Sequence, residues 1–368
     1  MKKHSAQTVQ THRPDFILLA SVVALVLFGL LMVYNSSPVT SLRDFGDQFY
    51  LIRLQVGWAA IGLIFGIIVY KLPYSFWQKL SPLIILVALG LLVAVFFFGT
   101  ESYGAQRWLR YGGIGLQPAE FAKFAYVIYL AAFLSKKVRL APFLFISGII
   151  LAIVLAQRDL GTSIILSVIG IMVYFVSGAS LLHFFALVPL VVIGGAVLIF
   201  SSAYRKARFL SFLDPTVDPQ GISYHIYQVL LALGSGGWFG VGLGESRQKY
   251  GFIPEVHTDS IFAVIGNELG FVGSLVFISV YLLLMYRGFQ IAKNAPDKFS
   301  HLVAVGVTTW LSIQALINIG GLAALIPFTG VPLPFVSYGG SSLVSALMAV
   351  GLLLNISKYS AGTNRSRK

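Results

Sequence analysis

The sequence predicts an all-α polytopic membrane protein, a bundle of ten transmembrane helices with a large outer loop containing short or re-entrant helices. Three observations predict it. Apolar residues make up 57% of the 368 residues and charged residues only 11%, whereas a soluble domain carries about 25% charged residues. The apolar stretches run 17 to 59 residues, unlike the alternating ten-residue segments of a membrane barrel. Finally, so few charges cannot cover the surface of a globule of this size. Disorder, a coiled coil, a small disulfide scaffold and an ordinary soluble enzyme are all excluded. There is no Cys, so structural disulfides and thiolate metal sites are excluded too.

A span needs about 20 mostly apolar residues to cross roughly 30 Å. The first is expected over 16–36; it is too long for a signal peptide and shows no small-residue cleavage site, so it is retained. The next four are expected over 54–70, 81–99, 118–135 and 141–156. Residues 160–204 hold no Asp, Glu, Lys or Arg and divide into spans 160–177 and 181–201 at the turn Ser177-Gly178-Ala179-Ser180. After a mixed segment, 202–259, an eighth span covers 260–286. Residues 299–357 are again free of those four types, giving spans 301–325 and 336–357 split by the Pro/Gly cluster 327–340.

Orientation follows from the basic residues. With the N-terminus inside, 15 of the 26 Lys and Arg residues fall in inside segments, and the short outside segments hold few. Ten spans then put both termini in the cytoplasm. The domain reading is a tail over 1–15, a ten-span domain over 16–357 with outer loop 202–259, and a basic tail over 358–368. The net charge of +13 lies mostly between apolar stretches, which points to topology and anionic lipid, not to nucleic acid.

The outer segments carry the unusual residues. Segment 202–259 opens with Arg205, Lys206 and Arg208, continues through Asp214-Pro215 and Asp218-Pro219, and reads as a short amphipathic or re-entrant helix over 222–233. A Gly-rich run follows from Gly234 to Gly244. A flexible connector is the plain alternative, but interleaved Leu, Trp and Phe argue for a cavity-lining element. No Gly-x-x-x-x-Gly-Lys-Ser/Thr pattern and no His-x-x-x-His or Glu-x-x-His pattern occurs. No cofactor is evident; a divalent cation could assist, but no metal motif is present. Glu120 and Lys123, three apart on one helix face, read either as a structural pair or as the wall of a polar cavity. Glu268, two turns into the eighth span, invites the same two readings. Asp159 and Asp259 each precede a span and could be helix caps.

Several ordered motifs resemble the bacterial SEDS proteins (shape, elongation, division and sporulation), whose members include FtsW, RodA and SpoVE. They are Gly104-Ala-Gln-Arg-Trp108-Leu with Gln117-Pro-Ala-Glu-Phe-Ala-Lys123; Gln157-Arg-Asp-Leu-Gly-Thr162; Phe209-Leu-Ser-Phe-Leu-Asp-Pro215; Gly236-Gly-Trp-Phe-Gly-Val-Gly-Leu-Gly244; Pro254-Glu-Val-His-Thr-Asp259; Gly266-Asn-Glu-Leu-Gly270; and Pro332-Leu-Pro-Phe-Val-Ser337-Tyr-Gly-Gly-Ser-Ser342. The resemblance covers about Asp15 to Lys358. It implies a peptidoglycan glycosyltransferase that polymerises lipid II at the outer face of the inner membrane. It also implies a class B penicillin-binding protein as partner, within the divisome or elongasome. Its essential outer-loop Asp falls on Asp259; Glu120, Lys123 and the Gln157–Asp159 turn match cavity positions. Arg107, Trp108, His257 and Ser337 belong to the matching motifs. The end of the first span, Met32 to Ser37, and Gly104 to Trp108 resemble the division branch, which implies a place at the septum. Ala119, Ser260 and Asn267 depart from the family pattern, and Asn267 removes a carboxylate beside Glu268.

Glycosyl transfer needs a base for the acceptor hydroxyl and stabilisation of the departing group. Asp259 is the expected general base, a weak one unless desolvation raises its pKa. Arg107, Arg110, Arg205, Lys206 and Arg208 are the outer cations available to a pyrophosphate leaving group. A lipid II flippase is the first alternative, but it needs polar groups through the membrane depth, and the spans hold almost none beyond Glu120, Lys123 and Glu268. A non-catalytic scaffold for the penicillin-binding partner is the second, and an elongation-type polymerase the third.

Overall fold

The computed structural model describes residues 13–102, 105–111 and 114–359. The tail to residue 12, Gly104 of the first motif and the basic tail from residue 360 lie outside the described residues. Thirteen helices form among the described residues. They are α1 (Phe16–Ser36), α2 (Pro38–Phe45), α3 (Tyr50–Lys71), α4 (Tyr74–Phe98), α5 (Pro118–Lys136), α6 (Leu140–Ala156), α7 (Leu160–Val176), α8 (Leu181–Phe200), α9 (Ala203–Leu213), α10 (Tyr224–Ser235), α11 (Ile261–Lys293), α12 (Lys298–Leu322) and α13 (Gly340–Ser357). Each of the ten expected spans falls on one of them. Seven helices are long and apolar enough to cross a membrane: α1, α3, α4, α8, α11, α12 and α13. Helices α6 and α7 are apolar but have 17 residues each, about 25 Å at 1.5 Å per residue. Helix α5 is diluted by Glu120 and Lys123. The chain is a multi-pass membrane protein, and large apolar side chains on α1, α3, α4, α8 and α11 face outward as lipid-facing surfaces require.

One element was not foreseen. Residues between α4 and α5 form a three-stranded antiparallel sheet, β1 (Thr100–Ser102), β2 (Ala105–Tyr111) and β3 (Ile114–Leu116), in the order β1-β2-β3. The pairing places Thr100 opposite Trp108 and Leu109 opposite Leu116. No long alternating run announces so short a sheet.

Helices α5, α12 and α13 form the enclosed centre. Helix α13 packs closely on α3, where Gly62 and Gly66 stand four apart; a methyl group on Gly351 would come within 2.3 Å of the Gly66 carbonyl oxygen. Small residues at that spacing let two backbones approach. The opposite extreme is α8, of which only Leu187 is fully buried. Asp15 caps α1 through the Leu18 amide at 2.9 Å, and Asp297 and Ser300 form a capping box on α12. Asp15 also takes a two-pronged contact from Arg287, fastening α1 to the far end of α11.

The Gly-rich run does not line the cavity described below, contrary to the sequence reading. It lies against a break in α11, where Gly270 takes φ 68° and ψ −168°. Val241 and Gly242 donate to the carbonyls of Asn267 and Glu268 at 3.0 and 3.1 Å, and Phe271 and Val272 donate to Gly237 and Trp238 at 2.9 and 3.0 Å. A Cβ on Gly240 would stand 2.0 Å from the Glu268 oxygen, so only a bare backbone can approach. The helix interruption is thereby satisfied by protein, as irregular backbone at membrane depth must be.

Candidate active site

The loops between α1 and α3, α4 and α5, α6 and α7, α8 and α11, and α12 and α13 meet at one end of the bundle around an open cavity of about 1970 Å³. The sequence-predicted residues Arg107, Trp108, Glu120, Asp159, Arg205, Arg208, His257 and Asp259 line it. The other five do not. Gln157 turns away and donates to the Leu92 carbonyl at 2.8 Å, anchoring the α6–α7 turn to α4. Lys206 is exposed on the far side of α9, because Arg205 and Arg208, three apart, take the cavity face. Ser337 accepts from the Leu333 amide at 2.8 Å and shapes its own loop. Lys123 lies below the floor, and Glu268 is enclosed beside α1.

Asp259 sits in a turn held from three sides. The Glu255 carbonyl accepts from the amides of Thr258 at 3.1 Å and Ser260 at 3.2 Å. Asn318, buried on α12, donates to the carbonyls of Asp259 at 2.7 Å and Val331 at 2.8 Å. Tyr338 donates from its amide to the His257 carbonyl at 2.8 Å, and Gln55 of α3 in turn grips the Ser337 carbonyl and the Gly339 amide. The capping role considered for Asp259 is absent: Ser260 is the cap residue of α11, and no side chain caps that helix. By contrast, Asp159 does cap α7, accepting from the Thr162 amide at 3.0 Å and its hydroxyl at 2.9 Å.

The Asp259 carboxylate faces the cavity near Arg208. Gly330 stands beside both: a Cβ there would lie 3.0 Å from Asp259 Oδ2 and 3.8 Å from an Arg208 nitrogen. Burial, with the negative charge of Glu255 adding to it, pushes Asp259 up to about 7, against the pull of Arg208. His225 is pushed down to about 4, first by burial and then by Arg208, and its Nε2 lies 2.7 Å from the Ser260 hydroxyl. Burial lowers His257 as well. Phe328 receives the Arg208 guanidinium at 5.3 Å and the edge of His225 at 4.6 Å. The cavity walls carry eight Lys or Arg side chains against five carboxylates, a net positive basin suited to an anionic ligand.

Below the floor, Lys123 Nζ lies 2.8 Å from Glu120 Oε1 and 2.7 Å from Gln314 Oε1, with the Trp310 ring 5.1 Å away. Trp310 donates to the same Gln314 oxygen at 2.7 Å. Glu120 Oε2 is buried without a hydrogen-bond partner, and Glu120 is also one of the residues that line the cavity. At the rim, Lys249 bridges Glu268 at 3.2 Å, the Asn35 side-chain oxygen at 2.6 Å and the Gly244 carbonyl at 2.6 Å. Asn267 donates to the Ala232 carbonyl and the Ser235 hydroxyl, docking α10; an amide serves that purpose and a carboxylate could not. Among the described residues no group of three or more His, Asp or Glu could hold a metal ion.

Sequence reasoning missed Glu255, Thr258, Asn318, Gln314, Gln55 and Lys249. Gln314 and Asn318 had a signal: two amides four residues apart within a charge-free apolar stretch mark one polar helix face. Glu255 lies in the Pro254–Asp259 motif, four residues before Asp259.

Residues 16–362 match the family model described as cell cycle protein, of FtsW, RodA and SpoVE. The stage V sporulation protein E of Bacillus subtilis is 40% identical over 363 residues, covering 96% of this chain and 99% of that protein. A probable peptidoglycan glycosyltransferase FtsW of Geobacter metallireducens is 39% identical over 364 residues, covering 96% and 97%. Among solved structures, a chain of a peptidoglycan synthase complex that coordinates polymerization and crosslinking superposes with a TM-score of 0.76 at 28% identity, covering 94% and 97%. The rod shape determining protein RodA of Thermus thermophilus gives 0.70 at 27% identity, covering 95% and 98%. With the matched region running from the first residue of α1 past the end of α13, the chain belongs to the SEDS family of FtsW, RodA and SpoVE.

Proposed function

We propose that the chain is a peptidoglycan glycosyltransferase that joins lipid II units at the outer face of the bacterial inner membrane. The observation that carries this reading is the Asp259 carboxylate, raised to about 7 and presented to a large basic cavity. A base poised near neutral pH suits removal of a proton from the acceptor hydroxyl. As that oxygen attacks the donor sugar, the lipid pyrophosphate departs with the bonding electron pair. Arg208 stands near Asp259, Arg205 lines the cavity three residues earlier on α9, and Arg107 and Arg110 line it from β2. Guanidinium groups hold phosphate oxygens in pairs, so these walls bind and stabilise the leaving group. Glu120 forms the floor, and Lys123 and Gln314 fix its orientation.

In this reading α1, α3 to α8 and α11 to α13 make ten crossings, with both ends in the cytoplasm and residues 202–259 outside. The domain is 16–357, with cytoplasmic tails on either side. The natural partner is a class B penicillin-binding protein, by analogy with the solved complex, whose work couples polymerization to crosslinking. The finer reading, a division-branch enzyme at the septum, is supported by the 39% identity to an FtsW-type relative over 96% of this chain.

The test is polymerisation of lipid II by purified protein and by Asp259→Asn. Asparagine keeps the shape but cannot accept the proton, so glycan synthesis falls by at least about 100-fold while the protein stays folded. Polymerisation at the normal rate would move the chemistry elsewhere, and transbilayer movement of lipid II without polymer would identify a flippase.

A further inference from the structure

The turn that carries Asp259 holds a second carboxylate that the scheme above leaves idle. Glu255 lines the same cavity. It adopts φ +50°, a left-handed conformation that a residue with a Cβ avoids without reason. The twist folds the turn so that the Thr258 hydroxyl stands between the two carboxylates, 2.9 Å from Glu255 Oε2 and 3.2 Å from Asp259 Oδ1. The same hydroxyl also lies 3.0 Å from the Glu255 carbonyl, and because a hydroxyl both donates and accepts, it can pass a proton from one carboxyl group to the other.

We propose that Glu255, Thr258 and Asp259 form a proton relay, in which Glu255 acts through Asp259 as the exit for the proton taken from the acceptor sugar. This rests on the reading of Asp259 as the base. The acceptor O–H bond breaks as the new glycosidic bond forms, and Asp259 gains the proton. The Asp259 O–H bond then breaks toward Thr258 Oγ1 as Thr258 gives its own proton to Glu255 Oε2. Thr258 ends unchanged, and Glu255 releases the proton to water in the cavity. Asp259 is then ionised again for the next sugar, a requirement of an enzyme that adds many units in succession.

The surrounding charges are compatible with such a path. Arg208 approaches from α9 and steadies the negative charge on Asp259. His225 from α10 and His257 in the same turn are held neutral at pH 7 by burial. Arg158 and Asp159 face the cavity from the α6–α7 turn, and residues 326–332 contribute no charged group.

The experiment measures lipid II polymerisation by the purified full chain across the pH range, in water and in deuterium oxide, with thermal unfolding in parallel. The variants are Glu255→Gln, Thr258→Val, Thr258→Ser and Asp259→Asn. Glu255→Gln removes a negative neighbour, so the acid limb of the rate profile moves below about 7, toward the ordinary value of 3.8, and the plateau falls. Thr258→Val lowers the plateau by about tenfold or more, Thr258→Ser restores it, and the solvent isotope effect grows when transfer is slowed. A wild-type limb in Glu255→Gln, or a wild-type plateau in Thr258→Val, overturns the relay. Should Glu255→Gln fail to fold, the contrast between Thr258→Val and Thr258→Ser carries the test alone. An active Asp259→Asn would defeat the base assignment itself; an inactive one beside an unaffected Glu255→Gln defeats the relay alone.

Discussion

Lys123→Met isolates the energetics of the charge pair beneath the cavity floor. Glu120 and Lys123 are 1% and 0% exposed, with charged atoms 2.8 Å apart. At an effective dielectric constant near 20, that attraction is about 6 kcal/mol before desolvation is subtracted. Removing the ammonium leaves the enclosed Glu120 carboxyl without its cation, with Oε2 already lacking a protein partner. Breaking a buried pair in this way costs about 3–5 kcal/mol, a fall of roughly 100-fold or more in the ratio of folded to unfolded protein. Glu120→Gln costs less, because Lys123 keeps the Gln314 oxygen at 2.7 Å. The double variant Glu120→Gln with Lys123→Met removes both charges and recovers most of the loss, since a buried pair gains little net stability over an uncharged replacement. The assay is thermal unfolding in detergent micelles, with size-exclusion profiles as a check on dispersion. A single Lys123→Met variant that melts with the wild type, or a double variant no better than the single, refutes the reasoning. Polymerisation by the double variant adds a functional reading: recovered stability with lost activity would mean that the Glu120 charge serves the cavity itself.

Three further outcomes are expected. Because burial raises Asp259 in the folded state above its ordinary 3.8, its ionisation opposes folding, and its contribution to stability declines as pH rises from about 4 to about 7. Asp259→Asn therefore melts above the wild type at pH 8 and no longer does so near pH 4; thermal melts at both values check this. Gly240→Ala places a methyl group against the Glu268 carbonyl, 2.0 Å from the built Cβ position, and lowers the yield of folded protein sharply, whereas Gly234→Ala, with open space around it, changes little. A reporter inserted near Pro219 reads as external and one after Ser357 as cytoplasmic; a cytoplasmic signal at Pro219 refutes the span count before it.

The bundle was legible because membrane helices are specified by composition over long windows, and every expected span meets a helix to within a few residues at most boundaries. Smaller features followed rules that composition does not carry. The sheet between α4 and α5 is too short for periodicity, and its β1 and β3 strands have three residues each. Of the site, the residues facing the cavity from loop ends were found, such as Arg107, Asp159 and Asp259. A residue whose direction depends on a turn was misplaced: Gln157 stands two before Asp159, yet it points to α4 while Asp159 caps α7 and meets the cavity. Glu268 was located on the correct helix, but its partner Lys249 lies 19 residues away in a turn whose course no local pattern fixes.

The break at Gly270 also determines where the chain can be altered. A continuous 33-residue helix would extend about 50 Å, far beyond a hydrocarbon layer of about 30 Å. The interruption gives the rest of α11, from Phe271 to Lys293, the length of a single crossing with a modest tilt. The price is that residues 237–242, which look like a spacer, must keep their length: losing or gaining one residue there would shift every amide away from the carbonyl it serves. By contrast, the Asp214–Gly221 turn is tied mainly to itself, through Thr216 to Asp214 and Gly221 to Asp218. Labels, affinity tags and crosslinkers therefore belong in that turn, and length variation among natural homologues should collect there and be nearly absent between Gly236 and Gly242.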